Sequence, residues 1–286
     1  MMLRERTGVE ITLSICAKSA QNALRLSQPR GVFLSKFILL LMNVSPQMLS
    51  EVEARLRSQT DRSPLALLTW LAEHFAGQAV FSTSFGIEDQ VITHLIFSNQ
   101  LPIRVFTLDT GRNFPETYST WSRTLERYRQ PIETYAPQAD ALEQLLSKKG
   151  PNSFYDSVEN RKECCHIRKV EPLGRALKDQ QLWITGIRAE QSPNRLNMAS
   201  LEWDAAHQLL KFHPLFDWAF DQVSDYVRQH NIPYNPLHDK GFVSIGCAPC
   251  TRAIQPGEDF RAGRWWWEDA SKKECGLHVH RNSVPA

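Results

Sequence analysis

The chain has 286 residues, 42% hydrophobic and 22% charged, enough for one large domain or two modest ones and unlike a disordered or collagen-like chain. Its 33 Lys and Arg against 31 Asp and Glu leave a net charge of +2, which gives no support to a nucleic-acid partner. No stretch reaches ~18 consecutive apolar residues, so no membrane-spanning helix is expected.

Residues 1–47 hold Arg4, Arg6, Arg25 and Arg30, several serines and few acids, a pattern shared with transit peptides. The apolar run Phe37–Met42 is too short to span a bilayer. The plainer reading is a poorly ordered extension without chemistry, with Met42 or Met48 as the working start. Residues 50–77 read as helical. Ser63-Pro64 opens a segment in which Leu65, Leu68, Leu71, Ala72 and Phe75 recur at helix spacing, and Gly77 ends it. Ala79–Thr83 reads as a buried strand, Glu88–Phe97 as a helix and Ile103–Leu108 as the next strand. Phe114–Tyr128 follows as a helix with Pro115 in its first turn, then a strand at Ile132–Tyr135 and a helix at Ala139–Leu146. Arg161–Leu177 reads as helical, with Pro172 expected to bend or restart it. Leu182–Thr185 and Gln208–Phe212 read as strands and Ala219–Gln229 as a helix.

This alternation predicts an α/β fold, a doubly wound and mostly parallel sheet covered on both faces. Residues 48–235 form the expected nucleotide-binding domain. Residues 236–286, rich in Pro, Gly and Trp, form an irregular C-terminal segment expected to pack back over it.

Ligands of open α/β sheets sit beyond the carboxyl ends of the strands. Three strand ends carry suitable residues. Ser82–Asp89 joins a strand to a helix, where backbone amides, the helix dipole and the Ser82 and Ser84 hydroxyls can hold an anion. Leu108-Asp-Thr110-Gly-Arg112 is the second, and Thr185-Gly186-Ile-Arg188, with Arg195 soon after, is the third. Singly each reads as a helix cap or turn; together the fold gathers them at one edge. Neither a Walker loop nor a Gly-x-Gly-x-x-Gly after a strand is present.

The six cysteines are Cys16, Cys164, Cys165, Cys247, Cys250 and Cys275. Two tight pairs, Cys164-Cys165 and Cys247-Ala-Pro-Cys250, point to metal or redox work in a reducing, cytoplasmic setting rather than to a disulfide framework. Cys247-x-x-Cys250 alone could be a redox pair. The tandem favours a four-thiolate site: neighbouring helical side chains point ~100° apart, which suits a bulky cluster better than a single zinc ion, though zinc stays open. Cys275 stands apart, with Lys272, Lys273 and His278 favouring its nucleophilic thiolate and Arg261 and Arg264 upstream. The run Trp265–Trp267 reads as an anchor for this tail. His207, His213, His230 and His238 read as ordinary core or surface residues.

Taken together, Ser82–Asp89, Leu108–Arg112 with Phe114–Thr117, Cys164–Lys169, Gly186–Arg188, Gly246–Cys250, Gly263–Glu268 and Glu274–His278 resemble the assimilatory sulfonucleotide (APS/PAPS) reductase family. The likeness covers residues 60–280 and, through its four paired cysteines, lies with the cluster-bearing adenylyl-sulfate branch. The resemblance implies a fold of the adenine-nucleotide alpha-hydrolase type. It implies a 4Fe–4S cluster on Cys164, Cys165, Cys247 and Cys250. It also implies thioredoxin- or glutaredoxin-dependent reduction of adenylyl sulfate through a Cys275 S-sulfonate, with His278 assisting. Lys169, Arg261 and Arg264 are then expected at the phosphosulfate, and Ser82, Ser84, Leu108, Thr110, Gly186 and Arg195 around the adenosine phosphate. Members acting on the 3′-phosphorylated nucleotide, or on both, are the near alternative; an ATP-dependent thiolation enzyme and an iron–sulfur redox regulator are the distant ones. Phe85 stands where the thiolation enzymes need room for pyrophosphate. A homo-oligomer is compatible with the family.

Overall fold

The structure, a computed structural model, describes residues 47–191, 195 and 198–269. The expectations for the N-terminal extension, Cys16, Cys275 and His278 lie outside the described residues.

Six strands make one sheet: β1 (Ala79–Thr83), β2 (Arg104–Leu108), β3 (Glu133–Tyr135), β4 (Leu182–Ile184), β5 (Leu201–Asp204) and β6 (Leu209–Phe212). Their order is β3-β2-β1-β4-β6-β5. All pairs are parallel except β5–β6. The helices are α1 (47–58), α2 (Pro64–His74), α3 (Ile87–Ser98), α4 (Pro115–Tyr128), α5 (Ala139–Lys149), α6 (Val158–Cys165), α7 (Glu171–Leu177) and α8 (Phe220–Gln229).

The two-residue period of the strands builds two cores. Ala79, Phe81, Val105, Leu182, Ile184, Leu210 and Phe212 face one side, against α2, α3 and α8. Val80, Phe106, Trp183 and Leu209 face the other, against Leu173, Ala176 and Leu177 of α7. Both faces are therefore covered, which is why these strands read as continuous apolar runs. Each fully buried aliphatic side chain contributes roughly 1.5–3 kcal/mol.

Two readings change in detail. The helical stretch 50–77 is two helices, because Ser63 caps α2 by accepting from the Ala66 amide at 3.3 Å and Pro64 occupies its first turn. Strand β5 was not foreseen. Its Leu-Glu-Trp-Asp has no clear alternation, and it forms by pairing antiparallel with β6 at the sheet edge. Of the two readings of Pro172 the restart holds: a π-turn at His166–Val170 separates α6 from α7, and Pro172 falls in the first turn of α7, where its missing amide is tolerated. Over residues 236–269 the chain is irregular, as expected, with short 3₁₀ turns at His238–Lys240 and Ala248–Cys250 and a bridge between Thr251 and Arg264.

Candidate active site

Strands β1 and β4 are neighbours in the sheet, yet the chain leaves β1 for β2 and β3 before returning to β4. Loops after β1 and β4 thus part in opposite directions and open a crevice at the strand ends. Its volume is about 250 Å³. Ser82, Ser84, Leu108, Thr110, Lys169, Gly186, Arg195, Arg261 and Arg264 all line it, so the sheet does collect the three loops at one edge.

The loop after β1 is wired differently from expectation. The Ser82 hydroxyl accepts from Trp183 Nε1 at 2.8 Å, which leaves its own proton to give. The Ser84 amide and hydroxyl both donate to Asp89 Oδ2, at 2.6 and 2.7 Å. Those two donors are therefore spent on a carboxylate of the protein, because Asp89, in the first turn of α3, reaches back over its own N-terminus. Burial pushes the Asp89 carboxyl up to about 7, against the two Ser84 bonds that hold it down, with Glu88 adding to the rise. Gly186 leaves room for it: a Cβ there would lie 2.2 Å from Asp89 Oδ1. The Phe85 backbone is left-handed (φ 60°), and its ring stacks on Trp121 at 5.4 Å within the main core.

Because the folded protein holds the Asp89 proton more tightly than the unfolded chain (ordinary value 3.8), the stability linked to it is present at low pH and is lost as pH rises from about 4 through about 7. Asp89→Asn keeps an acceptor for Ser84 and cannot ionise. Its melting temperature relative to the parent is expected to rise between pH 5 and pH 8; a difference that stays flat across that range refutes the assignment.

Arg188 does not reach the crevice. It is buried and paired with Glu88 at 2.9 Å and Glu190 at 2.7 Å, tying α3 to the loop after β4. Glu88, Asp89 and Thr185, within the motifs read from the sequence, also line the crevice, as do Trp183, which was not singled out, and His238, which read as an ordinary core or surface residue. Among them Thr185 shares a 2.7 Å hydrogen bond with the buried His213, and burial lowers the His238 imidazole. Asp89 was visible within its motif, but nothing in the spacing showed that it, rather than a ligand, takes the serine donors. His238 carries no local signal at all.

Cys164, Cys165, Cys247 and Cys250 converge on a second, smaller cavity, together with Arg168 and Lys169. All four are free thiols. Helix α6 and the π-turn supply the first pair and the adjoining cations. The Ala248–Cys250 turn supplies the second pair, held by the Ala248 amide on the Arg112 carbonyl at 2.8 Å. Burial raises Cys164, and it raises Cys250 to about 12 with help from Cys247 and Cys165. Cys247 goes the other way: burial pushes it up, but Lys169, the Thr110 hydroxyl, Arg264 and Arg168 outweigh that. Thr110 Oγ1 lies 3.3 Å from Cys247 Sγ, and the Thr110 carbonyl accepts from Arg168 at 2.6 Å. Lys169 and Thr110 thus stand between the two cavities, and Lys169 lines both. Among the described residues no three His, Cys, Asp or Glu side chains close round a single metal ion.

The C-terminal segment completes the crevice with Arg261 and Arg264. It is fastened to α6 by a buried bidentate pair, Arg161 Nε to Glu268 Oε1 at 2.9 Å and Nη2 to Oε2 at 2.8 Å. Of the tryptophan run, Trp265 is buried, Trp267 packs on Phe154 and Tyr155, and Trp266 is exposed.

This arrangement of loops, cations and thiols has counterparts. The family model described as the phosphoadenosine phosphosulfate reductase domain matches residues 78–253. Adenosine 5′-phosphosulfate reductase of Allochromatium vinosum is 54% identical over 199 residues, 70% of this chain and 78% of that protein. The protein of the same name from Sinorhizobium fredii strain NGR234 is 49% identical over 230 residues, covering 80% and 92%. The crystal structure of phosphoadenylyl-sulfate (PAPS) reductase from Candida auris, a phosphate complex, superposes with a TM-score of 0.60 at 27% identity, over 71% of this chain and 96% of that one. With a matched model spanning more than half of its length and relatives about half identical, the chain belongs to the phosphoadenosine phosphosulfate reductase domain family.

Proposed function

We propose that this protein reduces adenosine 5′-phosphosulfate (adenylyl sulfate) to sulfite and AMP in sulfate assimilation. The observation that carries the reading is the crevice: four cations, Lys169, Arg195, Arg261 and Arg264, line it beside the strand-end loops, in a chain about half identical to proteins of that name. A polyanionic nucleotide needs such preorganised positive charge. Lys169, Arg261 and Arg264 are assigned to the phosphosulfate, and Ser82, Leu108, Thr110, Gly186 and Arg195 to the adenosine phosphate; Ser84, whose amide and hydroxyl both go to Asp89, lines the crevice beside them.

In this reading the Cys275 thiolate attacks the sulfur of adenylyl sulfate. The bond from sulfur to the bridging oxygen breaks, AMP leaves with the electron pair, and a Cys275 S-sulfonate forms, with His278 assisting. A thiolate of thioredoxin or glutaredoxin then attacks the Cys275 sulfur and sulfite departs. The partner's second thiol resolves the mixed disulfide, so the dithiol supplies both electrons. The cytoplasm provides such a reduced partner. Four free thiols round one cavity, with Arg168 and Lys169 beside them to offset thiolate charge, fit a 4Fe–4S cluster held by Cys164, Cys165, Cys247 and Cys250. Bound there, the cluster would tune the local field. Lys169 itself lines the cavity on one side and binds substrate on the other.

The test compares thioredoxin-dependent sulfite release from adenylyl sulfate and from its 3′-phosphorylated form, with iron and sulfide assayed in the same anaerobic preparation. Faster release from adenylyl sulfate and roughly four iron and four sulfide per chain are expected. Preference for the 3′-phosphorylated nucleotide moves the protein to the other branch, and absence of sulfite from both refutes the reading.

A further inference from the structure

Arg264 is 8% exposed, yet its Nε has no hydrogen-bond partner among the described residues. What it touches is an indole. Its guanidinium carbon lies 4.8 Å from the centroid of the Trp265 ring, and that of Arg161 lies 4.6 Å from the same ring. Arg261 stands 6.0 Å away. Three like charges therefore meet at one aromatic side chain. Arg161 is neutralised by a buried carboxylate, Glu268.

The backbone is arranged for this contact. Trp265 is 1% exposed and has a left-handed conformation, φ 40°, which is uncommon and strained for a bulky residue. It is held there by its own amide on the Cys250 carbonyl at 3.3 Å and by the Glu268 amide on its carbonyl at 2.8 Å. On the other side Gly246 makes room, since a Cβ there would lie 2.4 Å from Arg264 Nη2. Slot and aromatic face together leave the guanidinium few places to go.

We propose that Trp265 is a positioning residue for the reaction: its ring holds Arg264 against the crevice without consuming its charge. A carboxylate in that place would fix the arginine equally well but would cancel the charge and occupy the donors that an anionic substrate needs. A ring quadrupole attracts the cation and leaves its N–H groups free. The proposal rests on the assignment of Arg264 to the phosphosulfate.

The experiment is a double-mutant cycle on the full chain, purified anaerobically, in a Cys275→Ser background so that adenylyl sulfate is bound and not turned over. Affinities for adenylyl sulfate and for AMP are measured by titration calorimetry. Arg264→Ala is expected to weaken adenylyl sulfate about ten-fold or more and AMP little, because AMP lacks the sulfate. Trp265→Leu is expected to show the same selective loss. Combined with Arg264→Ala it should add nothing, since the two act as a unit. Trp265→Phe, which keeps a π face in the same slot, is expected to retain most of the affinity, and it decides the matter should the leucine variant not fold. Parent-like affinity in Trp265→Leu, a fully additive double variant, or a folded Trp265→Phe as weak as Arg264→Ala each overturns the coupling while leaving the substrate assignment intact. An Arg264→Ala protein that binds adenylyl sulfate normally removes that assignment and the proposal with it.

Discussion

Replacing Cys275 by serine is expected to lower thioredoxin-dependent sulfite release by about three orders of magnitude or more, while nucleotide binding and the colour of the proposed cluster persist. The size of the effect follows from the chemistry. A serine hydroxyl beside the same cations has almost no alkoxide at neutral pH, and an O-sulfonate would offer the partner's thiol no sulfur–sulfur bond to form on that side chain. The residues proposed to hold the nucleotide line the crevice on β1, β2, the loops after β1, β2 and β4, the π-turn and the segment 243–264, and they are untouched by the change. Loss of turnover together with loss of AMP affinity would mean that Cys275 serves folding, and retained turnover would remove it from the reaction.

The second large effect concerns the buried pair that fastens the C-terminal segment. Arg161 and Glu268 have side-chain exposures of 1% and 4%, so removing Glu268 takes from the buried Arg161 the carboxylate that offsets its charge. Glu268→Ala is expected to cost about 3–5 kcal/mol of unfolding free energy. A simultaneous change of Arg161 to Met and Glu268 to Leu should recover most of that, because apolar groups of similar volume leave no charge to desolvate. Denaturant unfolding of the single and double variants checks both statements. An equally unstable double variant would show that the geometry of the pair, rather than its charge balance, holds the segment.

Local pattern carried much of the fold. In β1, β2 and β4 every position but Ser82, Arg104 and Leu108 is buried on one face or the other, and the apolar runs were read correctly. The crevice was legible for the same reason, since the order of strands and helices fixes which loops meet. What could not be read is what depends on partners far along the chain. Arg188 looked like an anion binder and is instead spent on Glu88, 100 residues away. Arg161 meets Glu268 across 107 residues. Ser84 looked like a free donor until Asp89 folded over it. A charged side chain advertises its chemistry in the sequence, but whether a neighbour consumes that chemistry is settled only by packing. The edge strand β5 escaped for a similar reason, because only its pairing with β6 makes it a strand.

The π-turn at His166–Val170 has a consequence for the length of the chain. It lies between two requirements, Cys164 and Cys165 turned to their cavity and Leu173, Ala176 and Leu177 turned to the sheet. Each α-helical residue rotates its successors by ~100°, so the wide turn is the one place where a surplus residue is absorbed. Deleting any one residue from 166–170 would straighten the helix and swing one set off its surface. The interval between thiols and apolar stripe works as a ruler, indifferent to many substitutions and intolerant of a change in count.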